Sequence, residues 1–141
     1  MKRLVVTGLA GLLGAAMVVT SPDTAAAQRK APPGGTYQMV SKLVALPDFV
    51  PGLGTLYVDP KTLPAGPFLA YDHQGNLVST IYMIPLKDMN AQKSFSDLKV
   101  GHERVDHVDV VFNAGHPGVA EPHYHIILWY ISPARAAQLA K

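Results

Sequence analysis

The sequence contains no cysteine. That single absence removes disulfides, thiolate zinc sites and cysteine nucleophiles together, so stability must come from apolar burial and any metal site must use histidine or carboxylate. It also removes the acylation point that a lipid-anchored lipoprotein needs. Charge is sparse as well: 12 Lys and Arg stand against 10 Asp and Glu, a formal net charge of +2, with no basic run. This is not the balance of a nucleic-acid-binding protein. Long helical periodicities separated by strands are missing, which argues against a doubly wound α/β fold. The nucleophile elbow Gly-x-Ser-x-Gly, the His-Glu-x-x-His zinc motif, the phosphate loop and the dinucleotide fingerprint are all absent. No internal repeat or low-complexity domain is visible.

What is present begins with an export pattern. Lys2 and Arg3 give a basic start, residues 4–19 are apolar and uncharged, and Ala25, Ala26 and Ala27 offer small residues before Gln28. This order predicts a secretory signal peptide over residues 1–27 and a secreted or periplasmic protein. The apolar run is short for the ~20 residues of a membrane-spanning anchor, so no membrane association is expected after cleavage. Residues 28–36, rich in Pro and Gly, are expected to form a flexible leader. Residues 37–141 are expected to form one domain.

The expected fold class is mainly β, with α+β as the alternative: a small antiparallel barrel or curved sheet with a short C-terminal helix. Several short β-rich runs are joined by Gly/Pro turns. Residues 55–58 form one strand candidate. Residues 67–71 and 77–84 form a hairpin candidate around the Asp72–Asn76 turn, where Gly75 or Asn76 suits positive φ. Val78, Thr80, Tyr82 and Ile84 are expected on one face of its second strand, and Leu77, Ser79, Ile81 and Met83 on the other. Residues 37–46 are ambiguous between strand and short helix. Residues 86–100 are expected to be loop with a helical turn or two, and 134–141 a helix.

Residues 105–131 carry the chemistry. Two apolar β-rich runs flank a loop with Gly115, His116, Pro117 and Gly118. The second run opens with His123 and His125. In an extended strand these two imidazoles project from the same face, their Cα atoms about 6.5 Å apart. A simple antiparallel register pairs Asn113 with His123 and Val111 with His125. It also places His107 opposite Trp129, roughly 13 Å along the strand. His116 can fold over the pair from the loop. Neutral imidazole suits Zn, Cu and Ni, so His116, His123 and His125 are expected to bind a divalent transition metal. His107 and Glu121 are secondary ligand candidates, and Glu121 can instead orient a histidine. Three alternatives stand beside this reading: a hydrogen-bonded structural cluster in an interaction or assembly domain, a pocket for a small non-metal ligand, and a metal-dependent enzyme using the same site. The cupin arrangement lacks its carboxylate, because Ile126 to Tyr130 follow the histidine pair. His73 is expected to be exposed in its turn, and Tyr124, Trp129 and Tyr130 to be core or rim aromatics.

The loop Asn113-Ala114-Gly115-His116-Pro117-Gly118, followed by Glu121-Pro122-His123-Tyr124-His125 and an aromatic-rich strand, resembles the TTHB210-like family of small exported bacterial proteins of unassigned function. His107 also falls where that family tends to carry a histidine. The sequence departs from the family at His125, where an Asp is usual, and at Ile127, where a second His is usual. The resemblance implies a small, mainly β, exported domain, a possible homo-oligomer, with His107, His116, His123 and position 125 in one site.

Overall fold

A nine-residue strand that is buried at every position sits near the middle of the architecture. The computed structural model describes residues 28–141; the expected signal segment, residues 1–27, lies outside the described residues. Six strands form one sheet: β1 (Gln38–Met39), β2 (Thr55–Val58), β3 (Phe68–Tyr71), β4 (Leu77–Pro85), β5 (His107–Asn113) and β6 (His123–Trp129). Their spatial order is β1-β2-β3-β4-β6-β5, and every neighbouring pair is antiparallel. The sheet is open, with β1 and β5 at its edges, so the barrel alternative gives way to the open sheet.

β4 shows why both faces of the centre are covered. Its sequence, LVSTIYMIP, is a nearly continuous apolar and β-branched run rather than an alternation of apolar and polar residues. One face packs Val58, Phe68, Ala70, Ile81, Met83, Ile127 and Trp129 into the larger core, closed by Val40 and Leu139 from outside the sheet. The other face holds Tyr57, Leu69, Tyr71 and Leu77. There Tyr57 and Tyr71 meet edge to face at 5.5 Å between centroids. Tyr130 extends this second layer: its hydroxyl lies 2.7 Å from that of Thr80 and accepts from the Gly101 N–H at 2.9 Å.

The strict alternation expected along β4 breaks at its start. Ala70 pairs with Ser79 but Tyr71 pairs with Leu77, so Val78 is an extra residue in the ladder. The irregularity swaps the first two side chains. Leu77 joins Tyr57 and Tyr71, whereas Val78 packs with Ile81 and Met83. The turn that follows β3 is tied by buried Asp72, whose carboxylate accepts from the N–H groups of Gln74 at 3.0 Å and Asn76 at 2.8 Å. Gly75 takes φ 72° there.

The expected flexible leader is instead docked in part. Lys30 bridges to Asn76, the Ala31 N–H donates to Gly75 at 2.9 Å, and the Leu77 N–H donates to Arg29 at 3.0 Å. The hairpin turn leaves main-chain groups free, and this segment takes them up. The ambiguous 37–46 run resolves into both options: β1, then a 3-10 turn over Val40–Lys42. Residues 86–100 contain one short helix, α1 (Leu86–Asn90). The C-terminal helix starts one residue before the expected 134–141, at Pro133. This proline occupies the first turn of α2 (Pro133–Ala136), behind the N-cap Ser132, and a 3-10 turn over Ala137–Ala140 completes the C-terminal helical segment.

Candidate metal centre

The β5–β6 hairpin has the register that its pattern predicts: Asn113 opposite His123, Val111 opposite His125 and His107 opposite Trp129. His123 and His125 therefore leave β6 on one face. β4 backs them, with Pro85 opposite His123 and Met83 opposite His125.

The third histidine arrives from the loop by a rigid route. His116 and Val119 exchange two main-chain hydrogen bonds of 2.9 Å, closing a four-residue turn with Pro117 and Gly118 at its centre. Proline then glycine at φ 88° is the pattern of a type II turn. The loop enters through Gly115, whose N–H donates to the Asn113 side chain at 2.8 Å. It is pressed against residue 44: a Cβ on Gly118 would lie 2.6 Å from Val44 Cγ1. Glycine at 118 serves both the positive φ and the close approach.

The three rings gather at the loop end of the hairpin. Ring centroids are 4.9 Å apart for His116–His123, 4.9 Å for His123–His125 and 5.6 Å for His116–His125. His123 is fully buried. His123 Nε2 lies 3.0 Å from His125 Nε2. One nitrogen from each of the three rings lies within 4.8 Å of the others, so the triad can hold a metal ion. Tetrahedral nitrogen ligands at 2.0–2.1 Å from zinc stand roughly 3.3 Å apart, so side-chain adjustments of about 1 Å bring the triad to that spacing.

The tautomers favour this use. His123 Nδ1 is 2.7 Å from the Glu121 carbonyl oxygen, and His116 Nδ1 is 2.9 Å from that of Pro117. A carbonyl only accepts, so each Nδ1 donates and, in the neutral ring, each Nε2 keeps its lone pair; the His123 Nε2 lone pair then accepts from His125 Nε2 at 3.0 Å. Metal-ligating histidines are commonly oriented in this way, through the nitrogen that does not bind. His125 is held neutral over the physiological range. Burial first, then the neighbouring His123 and His116, push its pKa down to about 4.

The structure leaves the two secondary candidates outside the cluster. His107 lies at the other end of the hairpin, stacked on Trp129 at 5.9 Å and hydrogen-bonded to Asp106 at 3.0 Å. The Glu121 carboxylate points to Lys87, with a 2.8 Å ion pair, and it is the Glu121 main-chain carbonyl that meets His123. The sequence pattern pointed to Glu121 as an orienting group but to the wrong part of the residue. His73 is exposed as expected, but its ring stacks on Phe49 at 3.6 Å. Trp129 is core, its indole N–H donating to Asp109 across the hairpin at 2.8 Å.

One feature of the site had no signal in the histidine pattern. His116, His125 and Asn113 contribute to the wall of a cavity of about 260 Å³ whose remaining side chains are apolar. That wall comes largely from residues 40–64, distant in sequence from the histidines.

No family model matches the sequence, and no curated protein matches it. Among solved structures the chain is similar to the hypothetical protein TTHB210 from Thermus thermophilus. Identity is 50%, over 67% of this chain and 93% of that one, with a TM-score of 0.62. This agreement in sequence and in fold joins the loop-and-strand motif to the open sheet that displays it, and the chain belongs to the TTHB210-like family, whose function is unassigned.

Proposed function

We propose that the protein binds a divalent transition metal, Zn, Cu or Ni, through His116, His123 and His125. The observation that carries this reading is the pair of main-chain carbonyls on the Nδ1 atoms of His116 and His123, which turns both Nε2 lone pairs toward metal ligation. His107 takes no part in the shell, and Glu121 acts through its carbonyl. The test is metal analysis of untagged protein, followed by thermal melts with each metal at pH 7.5 and pH 5.5. A metal that binds only the folded state adds about 2.7 kcal/mol at a free concentration 100 times its Kd. Protons compete for the same nitrogens, so this gain shrinks at pH 5.5. A melt unmoved by all three metals at pH 7.5 overturns the proposal.

The same resemblance and the basic-apolar-small order of residues 1–27 support export, with the mature chain starting near Gln28. Among the described residues no helix is long and apolar enough to cross a membrane. Mass spectrometry of the secreted protein reads the start directly, and an intact Met1 there overturns export.

A second reading is favoured by β5. Val108, Val110 and Phe112 are about half exposed or more on one face of this edge strand. Ile126 and Leu128 lie opposite Val110 and Val108 on the same face. Exposed, unpaired apolar edges are common sites of association. We read this face as the contact of a homo-oligomer, and sedimentation of the wild type against Val110→Lys and Phe112→Lys tests it.

A further inference from the structure

The cavity beside the triad has a shape and a chemistry of its own. Leu46, Val50, Leu53, Leu56 and Phe68 supply much of an apolar wall, and the three polar side chains in it, Asn113, His116 and His125, all belong to the hairpin and its loop. Leu43 and Leu63 also line it and are 37% and 44% exposed, so solvent reaches the cavity beside them. An apolar space with a few convergent polar groups is the usual form of a small-molecule site.

Size and charge narrow the occupant. A cavity of 150 Å³ lined by apolar side chains accommodates benzene, and this one is about 260 Å³. At interior packing density it has room for a carboxylic acid of about eight to ten carbons. A divalent ion on three neutral imidazoles carries two uncompensated positive charges. Among the described residues no carboxylate lines the cavity wall, and Glu121, the acidic residue nearest in sequence to the triad, is paired with Lys87. His123 is fully enclosed, whereas His116 and His125 face the cavity, so a further ligand reaches the ion from the cavity side. An anionic head on an apolar body matches both halves of the site.

We propose that the cavity binds a medium-chain monocarboxylate, with its carboxylate on the metal held by His116, His123 and His125 and its hydrocarbon tail among the apolar residues. This inference rests on the metal reading above. Three neutral ligands leave an open position on the ion, and in a wall of low polarity an oxygen anion there is favoured over a neutral oxygen.

The experiment is calorimetric titration of untagged, Zn²⁺-loaded protein with octanoate, with 1-octanol and acetate as controls. Zn²⁺ loading is verified first from the thermal melt, so failure of the metal site is seen before any ligand is added and is distinct from failure of the cavity. Octanoate should bind at least 10-fold more tightly than either control, because each control lacks one half of the match. Chelation of the metal should weaken octanoate at least 10-fold. Leu53→Phe, which fills the wall, and Leu63→Trp, at the exposed rim, should both weaken octanoate while the Zn²⁺-dependent rise in Tm persists. The rim variant keeps the test valid if the inner one fails to fold. Zn²⁺-loaded protein that ignores octanoate, binds octanol equally well, or binds octanoate equally after chelation overturns the proposal.

Discussion

Two ends of one hairpin carry histidines on the same face, and they are chemically unlike. At the loop end, His125 has His123 and His116 as neighbours, no acidic partner, and a pKa held down at about 4. At the far end, His107 stacks on Trp129 and hydrogen-bonds the Asp106 carboxylate. Strand parity treats the two positions alike, four residues and two pleats apart on opposite strands. Their neighbours separate them: at the loop end the ring nitrogens nearest His125 belong to other imidazoles, so the cluster can hold a metal ion, while at the far end an imidazole between an indole and a carboxylate is a packing group. A histidine count along a strand therefore says less than which atoms satisfy each ring's second nitrogen.

The sharpest way to break the comparison is to remove a histidine from each end in turn. His123→Ala should abolish the metal-dependent rise in Tm. It should also cost the metal-free fold roughly 2–3 kcal/mol, because a fully buried ring and its bond to Glu121 are lost. His107→Ala should leave the metal response intact. Denaturant melts with and without Zn²⁺ measure both, and equal metal responses in the two variants would erase the distinction.

A smaller effect should come from the turn that carries His116. Gly118→Ala puts a Cβ in a left-handed position and 2.6 Å from Val44 Cγ1. We expect a loss of about 1–2 kcal/mol in stability and a fall in metal affinity of about 10-fold or more as His116 shifts. Competition with a chromophoric chelator reads the affinity, and unchanged affinity would mean that the turn does not position the ligand.

The pH dependence of the metal-free fold separates the ends further. His125 has a folded pKa near 4, below its unfolded value of about 6.5. Between those values the unfolded chain binds more protons than the folded one, so unfolding is favoured as pH falls. The contribution of His125 is therefore present above pH 6.5 and is lost progressively toward pH 4. His125→Gln should flatten this part of the stability profile measured by urea titration. His107→Gln should leave the His125 contribution in place, and an identical flattening in both would contradict the contrast.

The smallest expected effect lies at the far end. Asp109→Ala removes the hydrogen bond from the Trp129 indole that ties β5 to β6 and leaves the buried ring in place. It should cost about 1 kcal/mol in a denaturant melt without changing metal affinity. A change in affinity would show that the two ends are coupled through the strand.

Much of this arrangement follows from sequence pattern. The β5–β6 register came from strand alternation, and the His-Pro-Gly turn from residues suited to it. The triad could be drawn from those two facts. Less legible were groups whose partners are distant in sequence or are main-chain atoms: the docking of residues 29–31 on the hairpin turn, the Val78 irregularity, and Glu121 acting through its carbonyl. No side-chain pattern encodes a main-chain acceptor.

By itself the sequence determined that no thiolate is available, that β-rich runs dominate, and that His123 and His125 share a face, because local geometry has a period of two wherever a strand forms. Tertiary structure decided the rest. Covering β4 on both faces brought residues 40–64 against the hairpin loop, and that contact made both the seat of the His116 turn, at Gly118, on Val44 and the cavity in front of the triad. Packing between segments tens of residues apart depends on volumes and shapes that meet only in the folded chain, and it is there that a row of histidines acquires its apolar chamber.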